Sequence, residues 1–600
     1  ADNFYQIANR LLDDFYPKKR ITVTNKDPKF MSGEIKSMLR KKNKLMRKGK
    51  TEEADDLATK IGKLIAKHNS NCLKNVETNN SKVLWSQVGK ILNKSKRVGA
   101  SLGGGTILTA ENLNKNYANI STDGDYHDPH LKCYAKQDQI EIDEYVAFKI
   151  LDNLKPSSSG PDTLPAWFLR LSAPIFAKAL AYLYTLSINS ATVPLQWKCA
   201  QITPIPKISK PASLSDFRPI SVTSILSRCL ENYITRNYLY PALLVPPADL
   251  NFENQYAFRP TGSCTAALVA ILRNITDLLQ TNKKVIVVAL DFNKAFDSVK
   301  HKTLFEKYAK LEIREEVYNW LVSFYTDRVH TTRFEGVISE PSNINASVVQ
   351  GSGTGPISYI VAASDLTTKT DKFQLHKYAD DSYLVSASCH QGLIGEEINH
   401  IEEWAKINNL NLNKTKTKEV VFNKMGGKCS DALPPTPDIN RTKVISILGV
   451  TFQDNLSMDT HINEILNEAS STLYALSVLR AHGLRQEALQ EVFRAKVLSK
   501  IMYASPAWWG FASSSNIQKI NAFLKKCKKL KYYPETGYTF EFLTKKLFDQ
   551  ICNNTFHVLK QFLPEQKQHG HNLRDRRHNF ILPCKDNRNF INRMLFKNIY

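Results

Sequence analysis

Two adjacent carboxylates interrupt an alternating apolar and aromatic run, Lys377-Tyr378-Ala379-Asp380-Asp381-Ser382-Tyr383-Leu384-Val385, and this stretch constrains the chain more than any other. Neighbouring side chains on a strand point to opposite faces, so the acid pair fits the tight turn of a hairpin better than the body of a strand. Two acids at a hairpin tip add nothing to a core. They suit a divalent cation, because Mg2+ takes oxygen ligands and needs few of them from protein. Alone, the pair reads first as a solvated turn. A second stretch weakens that reading. Val285-Ile286-Val287-Val288-Ala289-Leu290 is a β-branched apolar run of the kind that forms a buried strand, and it ends at Asp291-Phe292-Asn293-Lys294-Ala295-Phe296-Asp297-Ser298-Val299. An acid at the end of a buried strand has to be ligated, paired or neutral. Two such strand-end sites, distant in sequence, can share two cations. Two-metal phosphoryl transfer requires that, with ions ~3.5–4 Å apart serving the attacking and leaving oxygens.

The chain has 600 residues, which implies several domains, and 42% hydrophobic residues, which implies folded ones. A formal charge of +24 points to a polyanionic partner, although a ribosomal or chromatin protein would share it. Ten cysteines without paired spacing and no opening signal peptide fit a reducing, intracellular compartment. No apolar run is long enough to span a bilayer, so no membrane partner is expected. The chain does not begin with Met and opens inside a helical pattern, so a fragment or processed piece is expected.

Residues 1 to about 95 read as helical and basic. Ile35, Met38, Leu39 and Leu45 keep one apolar stripe while Lys and Arg cover the rest, and Leu57, Ile61, Leu64 and Ile65 mark a second helix. A solvated face and a nucleic-acid clamp both fit that hairpin. Residues 96–135, with Gly103-Gly104-Gly105 and a polar run, read as a loop or linker. Trp197 to Lys207 reads as a strand broken by proline, hence an edge strand. Ile462 to Leu479 and Leu489 to Leu498 keep helical spacing; the Trp508-Trp509 pair suits core packing better than base stacking. The run Lys525-Lys526-Cys527-Lys528-Lys529-Leu530-Lys531-Tyr532-Tyr533 mixes cations and aromatics as nucleic-acid surfaces do. His127 and His130, near Asp123, Asp125 and Asp128, have metal-ligand chemistry but read first as exposed loop residues, and the Cys and His residues of the tail match no standard zinc spacing.

Several blocks occur in a telling order: Asp216-Phe217-Arg218-Pro219-Ile220-Ser221, Gln255-Tyr256-Ala257-Phe258-Arg259-Pro260, Leu290-Asp291-Phe292-Asn293-Lys294-Ala295-Phe296-Asp297, Gln350-Gly351-Ser352-Gly353-Thr354-Gly355-Pro356, Tyr378-Ala379-Asp380-Asp381, Leu412-Asn413-Lys414-Thr415-Lys416-Thr417 and Leu448-Gly449-Val450. Together they resemble the reverse transcriptases of non-LTR (LINE-type) retrotransposons. Thr354 stands where Leu or Ile is frequent in the family, and Ser347-Val348-Val349 replaces the usual Gly-Val-Pro. The resemblance implies an α+β right-hand polymerase: a helical basic N-terminal extension and linker over 1–139, fingers over 140–280, palm over 281–455, thumb over 456–515, and a small basic C-terminal nucleic-acid-binding domain over 516–600. It implies RNA-directed DNA polymerisation by target-primed reverse transcription, with RNA template, DNA primer or target and dNTPs as partners, and an endonuclease domain upstream in the full-length protein. The expected location is nucleus and cytoplasm. Asp291, Asp380 and Asp381, with the Phe292 carbonyl, would place two Mg2+ ions, Mn2+ being the alternative. Lys207 and Arg218 match positions that contact the triphosphate, Phe296 lies under the sugar, Gln350 and Gly351 face template and nucleotide, and Lys416 matches a lysine that protonates pyrophosphate, with Lys414 and Lys418 as alternatives in register. A telomerase-like, intron-encoded or RNA-copying polymerase, or a domesticated non-catalytic binding protein, are the alternatives; the intact acids oppose the last.

Overall fold

A computed structural model describes residues 1–17, 33–48, 50–74, 108–133, 139–424, 433–534, 539–566 and 578–597. The chain is mixed α+β, with two five-stranded sheets among the described residues. In the first, Lys284–Leu290 lies between Asp381–Ala387 and Lys418–Asn423, antiparallel to both. Phe373–Tyr378 adds the other arm of the Asp-Asp hairpin, and Asn440–Arg441 closes the far edge. Alternation sends Ile286, Val288 and Leu290 into one core with Leu384, and Val285 and Val287 into another with Val385, Val420 and Phe422. The sheet is therefore covered on both faces, which is why the 285–290 run carries no polar residue.

The second of these cores is completed by the helix Cys264–Thr281 and by C-terminal helices, including Asp459–Ala481, Gln486–Phe493 and Phe540–Asn553. The tryptophan pair belongs here. Trp508 is buried and donates from Nε1 to the Tyr503 carbonyl at 2.8 Å, while Trp509 stacks on Phe540 with centroids 4.0 Å apart. Tyr532 is buried too, with the Arg480 guanidinium over its ring, so it is no open stacking platform. The basic helical hairpin forms as read, Gly33–Arg47 packing on Thr51–Lys74.

The other sheet joins Cys199–Pro206, Phe217–Thr223, Arg328–Phe334 and the short strands Val337–Ile338 and Ser342–Ile344. Two expectations change here. Cys199–Pro206 is not simply an edge strand: Ala200 to Ile202 pairs with Phe217–Thr223 on one side and with His330 to Thr332 on the other. Pro204 and Pro206 fall beyond the second pairing, where the strand has one neighbour and the missing N–H is tolerated. The stretch 96–135 is not all linker. Within it Ala110–Ile120 is a helix, capped by Thr109, whose Oγ1 accepts from Asn112 N at 3.1 Å. Leu113 and Tyr117 pack on Ile202 and Phe217, and Asn114, fully buried, accepts from Thr332 Oγ1 and donates to Ser342 Oγ and to the Glu340 carbonyl.

Candidate active site

The last rung between Lys284–Leu290 and Asp381–Ala387 pairs Leu290 with Ser382. The next residues, Asp291 and Asp381, therefore emerge opposite each other at the same end of the sheet. Tyr378 pairs with Asp381, which leaves Ala379 and Asp380 as the two-residue tip of the hairpin, Ala379 at φ +55°. A non-glycine residue in that region needs support, and the buried Gln255 gives it: Oε1 accepts from Ala379 N and from Ala257 N, both at 3.0 Å. Asp291 is held from the other side. Its carbonyl accepts from Asn413 N at 2.7 Å, and its N–H donates to Thr417 Oγ1 at 3.3 Å. Two of the sequence blocks thus exist to aim the acids of two others.

Among Lys414, Lys416 and Lys418, Lys416 reaches the acids, with Nζ 3.9 Å from Asp291 Oδ2. Lys414 pairs instead with Glu402 at 2.8 Å, and Lys418 lies in the strand opposite Ala289. Burial raises the Asp380 carboxyl above its ordinary value, the Asp291 charge adds to that, and Arg218 opposes it. Asp381 remains open to solvent, yet its carboxyl is pushed up to about 6, first by desolvation among its neighbours and then by the charges of Asp380 and Asp291. Among the described residues no three His, Cys, Asp or Glu side chains converge closely enough to hold a metal ion as they stand. The three carboxylates oppose one another by their charges, which Lys416 and Arg218 offset only in part. Their all-oxygen donor set, together with the neighbouring Phe292 carbonyl, is chemically suited to Mg2+.

Beside the acids lies a cleft of about 460 Å3. The first sheet contributes Asp380 and the turn Lys294 to Asp297; the second contributes Lys207, Phe217 and Arg218. Lys207 Nζ donates to the Ser215 carbonyl at 2.8 Å. Asp216 accepts from Ala212 N and Ser213 N at 2.9 and 2.8 Å, so it serves its own turn while Arg218 lines the cleft. Burial, then Lys207, lowers the Lys294 ammonium, a sign of cations gathered on one wall. Phe296 is half-buried, stacked on Tyr359 with centroids 4.3 Å apart and edge-on to Phe258 at 6.3 Å. Gln350 Nε2 donates to Asp297 Oδ1 at 2.8 Å, and burial pushes the Asp297 carboxyl up to about 7. Gly351 has φ +122°, and a Cβ there would sit 2.2 Å from the Ser221 carbonyl oxygen, so the loop needs glycine to approach the second sheet.

Residues 205–452 match the family described as "Reverse transcriptase (RNA-dependent DNA polymerase)". The chain carries a reverse transcriptase domain. Its curated relatives include the "RNA-directed DNA polymerase from mobile element jockey" of Drosophila melanogaster, 26% identical over 382 residues, with 61% of this chain and 41% of that protein covered. A second is the "Probable RNA-directed DNA polymerase from transposon BS" of the same species, 27% identical over 377 residues, covering 58% and 40%. A third is the "Retrovirus-related Pol polyprotein from type-1 retrotransposable element R2" of Popillia japonica, 24% identical over 366 residues, covering 58% and 49%. The domain is thus related to those of non-LTR retrotransposons, and the chain spans less than half the length of these relatives. A solved telomerase from Candida tropicalis overlaps only loosely, at TM-score 0.32 and 14% identity, over 62% of this chain and 64% of that one.

Lys207, Arg218, Asp291, Phe292, Phe296, Gln350, Gly351, Asp380, Asp381 and Lys416 all lie inside the matched reverse transcriptase stretch. The cleft also has a wall outside it, from the helix Ala110–Ile120: Asn116, Tyr117 and Ile120. Ser121 Oγ donates to the Asp297 carbonyl at 3.0 Å, and Lys300 lies 3.6 Å from Asp123, tying this helix to the turn after Asp291. The Tyr117 hydroxyl is buried, has no hydrogen-bond partner among the described residues, and faces the charge of Asp297. Sequence reading missed this wall. The signal was Thr109 as cap before Leu113, Tyr117 and Ile120 at helical spacing, hidden by the glycines and Asn-rich polarity around it. No helix among the described residues is long and apolar enough to cross a membrane.

Proposed function

We propose that this protein is an RNA-directed DNA polymerase that copies retrotransposon RNA by target-primed reverse transcription. The observation that carries the reading is the opposition across one cleft: Asp291, Asp380 and Asp381 on one sheet end, Lys207, Arg218 and Lys294 around the same space. On this reading the first sheet is the palm, within 281–455. The strands Cys199–Pro206 and Phe217–Thr223 of the second sheet, with their helices, are the fingers, within 140–280, while its other three strands come from 281–455. The helices of 456–515 are the thumb, and 516–600 with the basic hairpin of the N-terminal extension bind nucleic acid. RNA template, DNA primer and dNTPs are the partners, and nucleus and cytoplasm the location.

Asp291, Asp380, Asp381 and the Phe292 carbonyl would hold two Mg2+ ions, which supply charge neutralisation at the attacking 3′-oxygen and the leaving pyrophosphate oxygen. The raised carboxyls of Asp380 and Asp381 support that assignment, because burial first and the neighbouring acids second disfavour their charge, and a bound cation offsets both. Lys207 and Arg218 hold the triphosphate and stabilise the charge that grows on pyrophosphate. Lys416, whose Nζ lies 3.9 Å from Asp291 Oδ2, would give that pyrophosphate a proton. Phe296, braced from behind by Tyr359, closes the space a 2′-hydroxyl would need. The remaining contribution is positioning of primer and nucleotide rather than covalent catalysis. Primer extension with dNTPs on an RNA template tests the proposal, with Asp381→Asn as control. Extension by the wild-type protein alone supports it, and absence of extension on any RNA or DNA template overturns it.

A further inference from the structure

The glycine turn Gly351 to Gly355 and the helix Gly355–Ala362 form one wall of the cleft, yet the strongest tie on that wall comes from outside it. Glu231, on the helix Ile225–Ile234, is fully buried. Its Oε2 accepts from Gly353 N at 2.7 Å, from Thr354 N at 3.1 Å and from Thr354 Oγ1 at 3.2 Å; its Oε1 accepts from Ser227 Oγ at 2.8 Å. A buried carboxylate is costly unless every lone pair is used, and here four donors converge on it. The guanidinium of the buried Arg328 adds an opposing charge. Gly353 lets the turn press onto the Glu231 helix: a Cβ there would lie 2.8 Å from Glu231 Cβ and 3.0 Å from the Arg228 carbonyl oxygen.

Gly353 and Thr354 are the residues just before the helix Gly355–Ala362, so their N–H groups are among those a helix start leaves without internal partners. Glu231 thereby caps that helix from a distant element, and it is an anion at the favourable end of the helix. One turn on, the same helix carries Tyr359, the ring on which Phe296 stacks. Just before it stands Gln350, whose side chain bonds Asp297 and whose carbonyl accepts from Ser221 N at 3.0 Å.

We propose that Glu231 is a positioning residue for the incoming nucleotide: from outside the cleft it fixes the glycine turn and the helix start that set Gln350 and the Tyr359–Phe296 stack. The inference rests on reading the cleft as the nucleotide pocket. Glu231→Gln is the decisive variant, because an amide keeps the size but turns one acceptor into a donor. Lost bonds of this kind raise KM for dNTP about tenfold. A weakened brace behind Phe296 also lowers the preference for dNTP over rNTP, while affinity for the RNA template stays at the wild-type level. Thr354→Val, which removes one bond and leaves the carboxylate, moves both quantities in the same direction by less, and it decides the matter if Glu231→Gln does not fold. Glu231→Asp keeps the charge and should lie between Gln and wild type. The proposal is overturned if a folded variant keeps its dNTP-to-rNTP preference, whether activity is intact or both substrates are depressed alike. Failure of the wild-type protein to extend any primer would instead overturn the polymerase reading itself.

Discussion

The two five-stranded sheets meet at one cleft but are built in different ways. The first places its acids chiefly by short-range rules, with Gln255, Asn413 and Thr417 as distant braces: a buried strand runs out at Asp291, a hairpin turns at Ala379-Asp380, and register sets Asp381 opposite Asp291. The second places its cations by long-range ones. Lys207 and Arg218 come from paired strands, but the wall around them needs a glycine loop more than a hundred residues on and a helix that precedes the sheet altogether. A site of few, close determinants fails completely when one is lost. A wall of many partial determinants should fail by degrees.

The largest effect expected is accordingly at the acids. Asp380→Asn and Asp381→Asn should each abolish polymerisation while leaving RNA binding intact, since asparagine keeps the size but loses the charge that holds a cation. Single-turnover extension alongside RNA binding would test this. Extension near the wild-type rate in either variant removes the metal assignment, and with it the contrast between the sheets.

Phe296→Ala comes next and sits where the sheets meet. If the ring is a steric gate, its removal should raise rNTP incorporation relative to dNTP while extension persists. If it serves only to pack against Tyr359 and Phe258, truncation should cost about 3–5 kcal/mol of stability and depress both substrates together. Single-nucleotide kinetics on the soluble variant separate the two, and an unchanged ratio removes the gate.

The same contrast explains what could be read from the sequence. Asp291, Asp380 and Asp381 were legible because each stands where a core run ends, and a core run is visible locally. The strand at 285–290, the hairpin at 379–380 and the helical hairpin near the N-terminus follow from patterns within a dozen residues. The role of Gln255, which braces the acid turn from more than a hundred residues away, was not legible, nor was the edge character of only half of Cys199–Pro206. The helix Ala110–Ile120 was lost because its apolar residues serve a small satellite core under a polar sequence. Side-chain hydrogen bonds and register between distant strands leave no periodic trace.

Proton competition sharpens the acid side of the comparison. The Asp381 carboxyl, at about 6 in the absence of a cation, is mostly protonated at pH 5 and ionised at pH 7. Because protons and a cation compete for the same oxygens, the apparent Kd for Mg2+ should rise about tenfold between pH 7 and pH 5. The sign for stability follows from the same shift. The folded value lies above the ordinary carboxylate value, so ionisation disfavours the metal-free fold, whose stability should fall as pH rises through the window from about 4 to 6. Mg2+ should restore it at pH 7 and do little at pH 5. Melting curves with and without Mg2+ at both values measure this, and a Mg2+ effect as large at pH 5 as at pH 7 would contradict the linkage.

Outside both sheets, the basic hairpin tests charge without chemistry. Arg40, Lys41, Lys44 and Arg47 are exposed on Gly33–Arg47. Each phosphate they neutralise should add roughly one unit to the log–log salt slope of nucleic-acid binding, so replacing all of them with Gln should weaken and flatten it without changing extension at saturating template. An unchanged slope leaves them as a solvated face.

The smallest effect expected is at Tyr117, and it is the one that separates the two modes of construction most finely. Tyr117 lies outside the matched reverse transcriptase stretch, and its hydroxyl is buried in the wall of the cleft with no hydrogen-bond partner among the described residues. A buried hydroxyl that merely packs is a cost, and Tyr117→Phe would remove it: the protein should melt slightly higher, and KM for dNTP should stay put. A hydroxyl that waits for a substrate group gives the opposite kinetic result, a rise in KM of about three- to tenfold with kcat retained, the loss of one neutral hydrogen bond made only in the complex. The wall built by many partial contributions predicts the second outcome. Its neighbour Asp297 tells the same story from the other side of the gap, since burial has already raised that carboxyl to about 7 and Gln350 satisfies one of its oxygens. Asp297→Asn should therefore reproduce the Tyr117→Phe change in KM, and the double variant should cost little more than either alone, as expected of two groups that serve one ligand atom. Fully additive effects would mean that helix Ala110–Ile120 supports the cleft without touching what enters it.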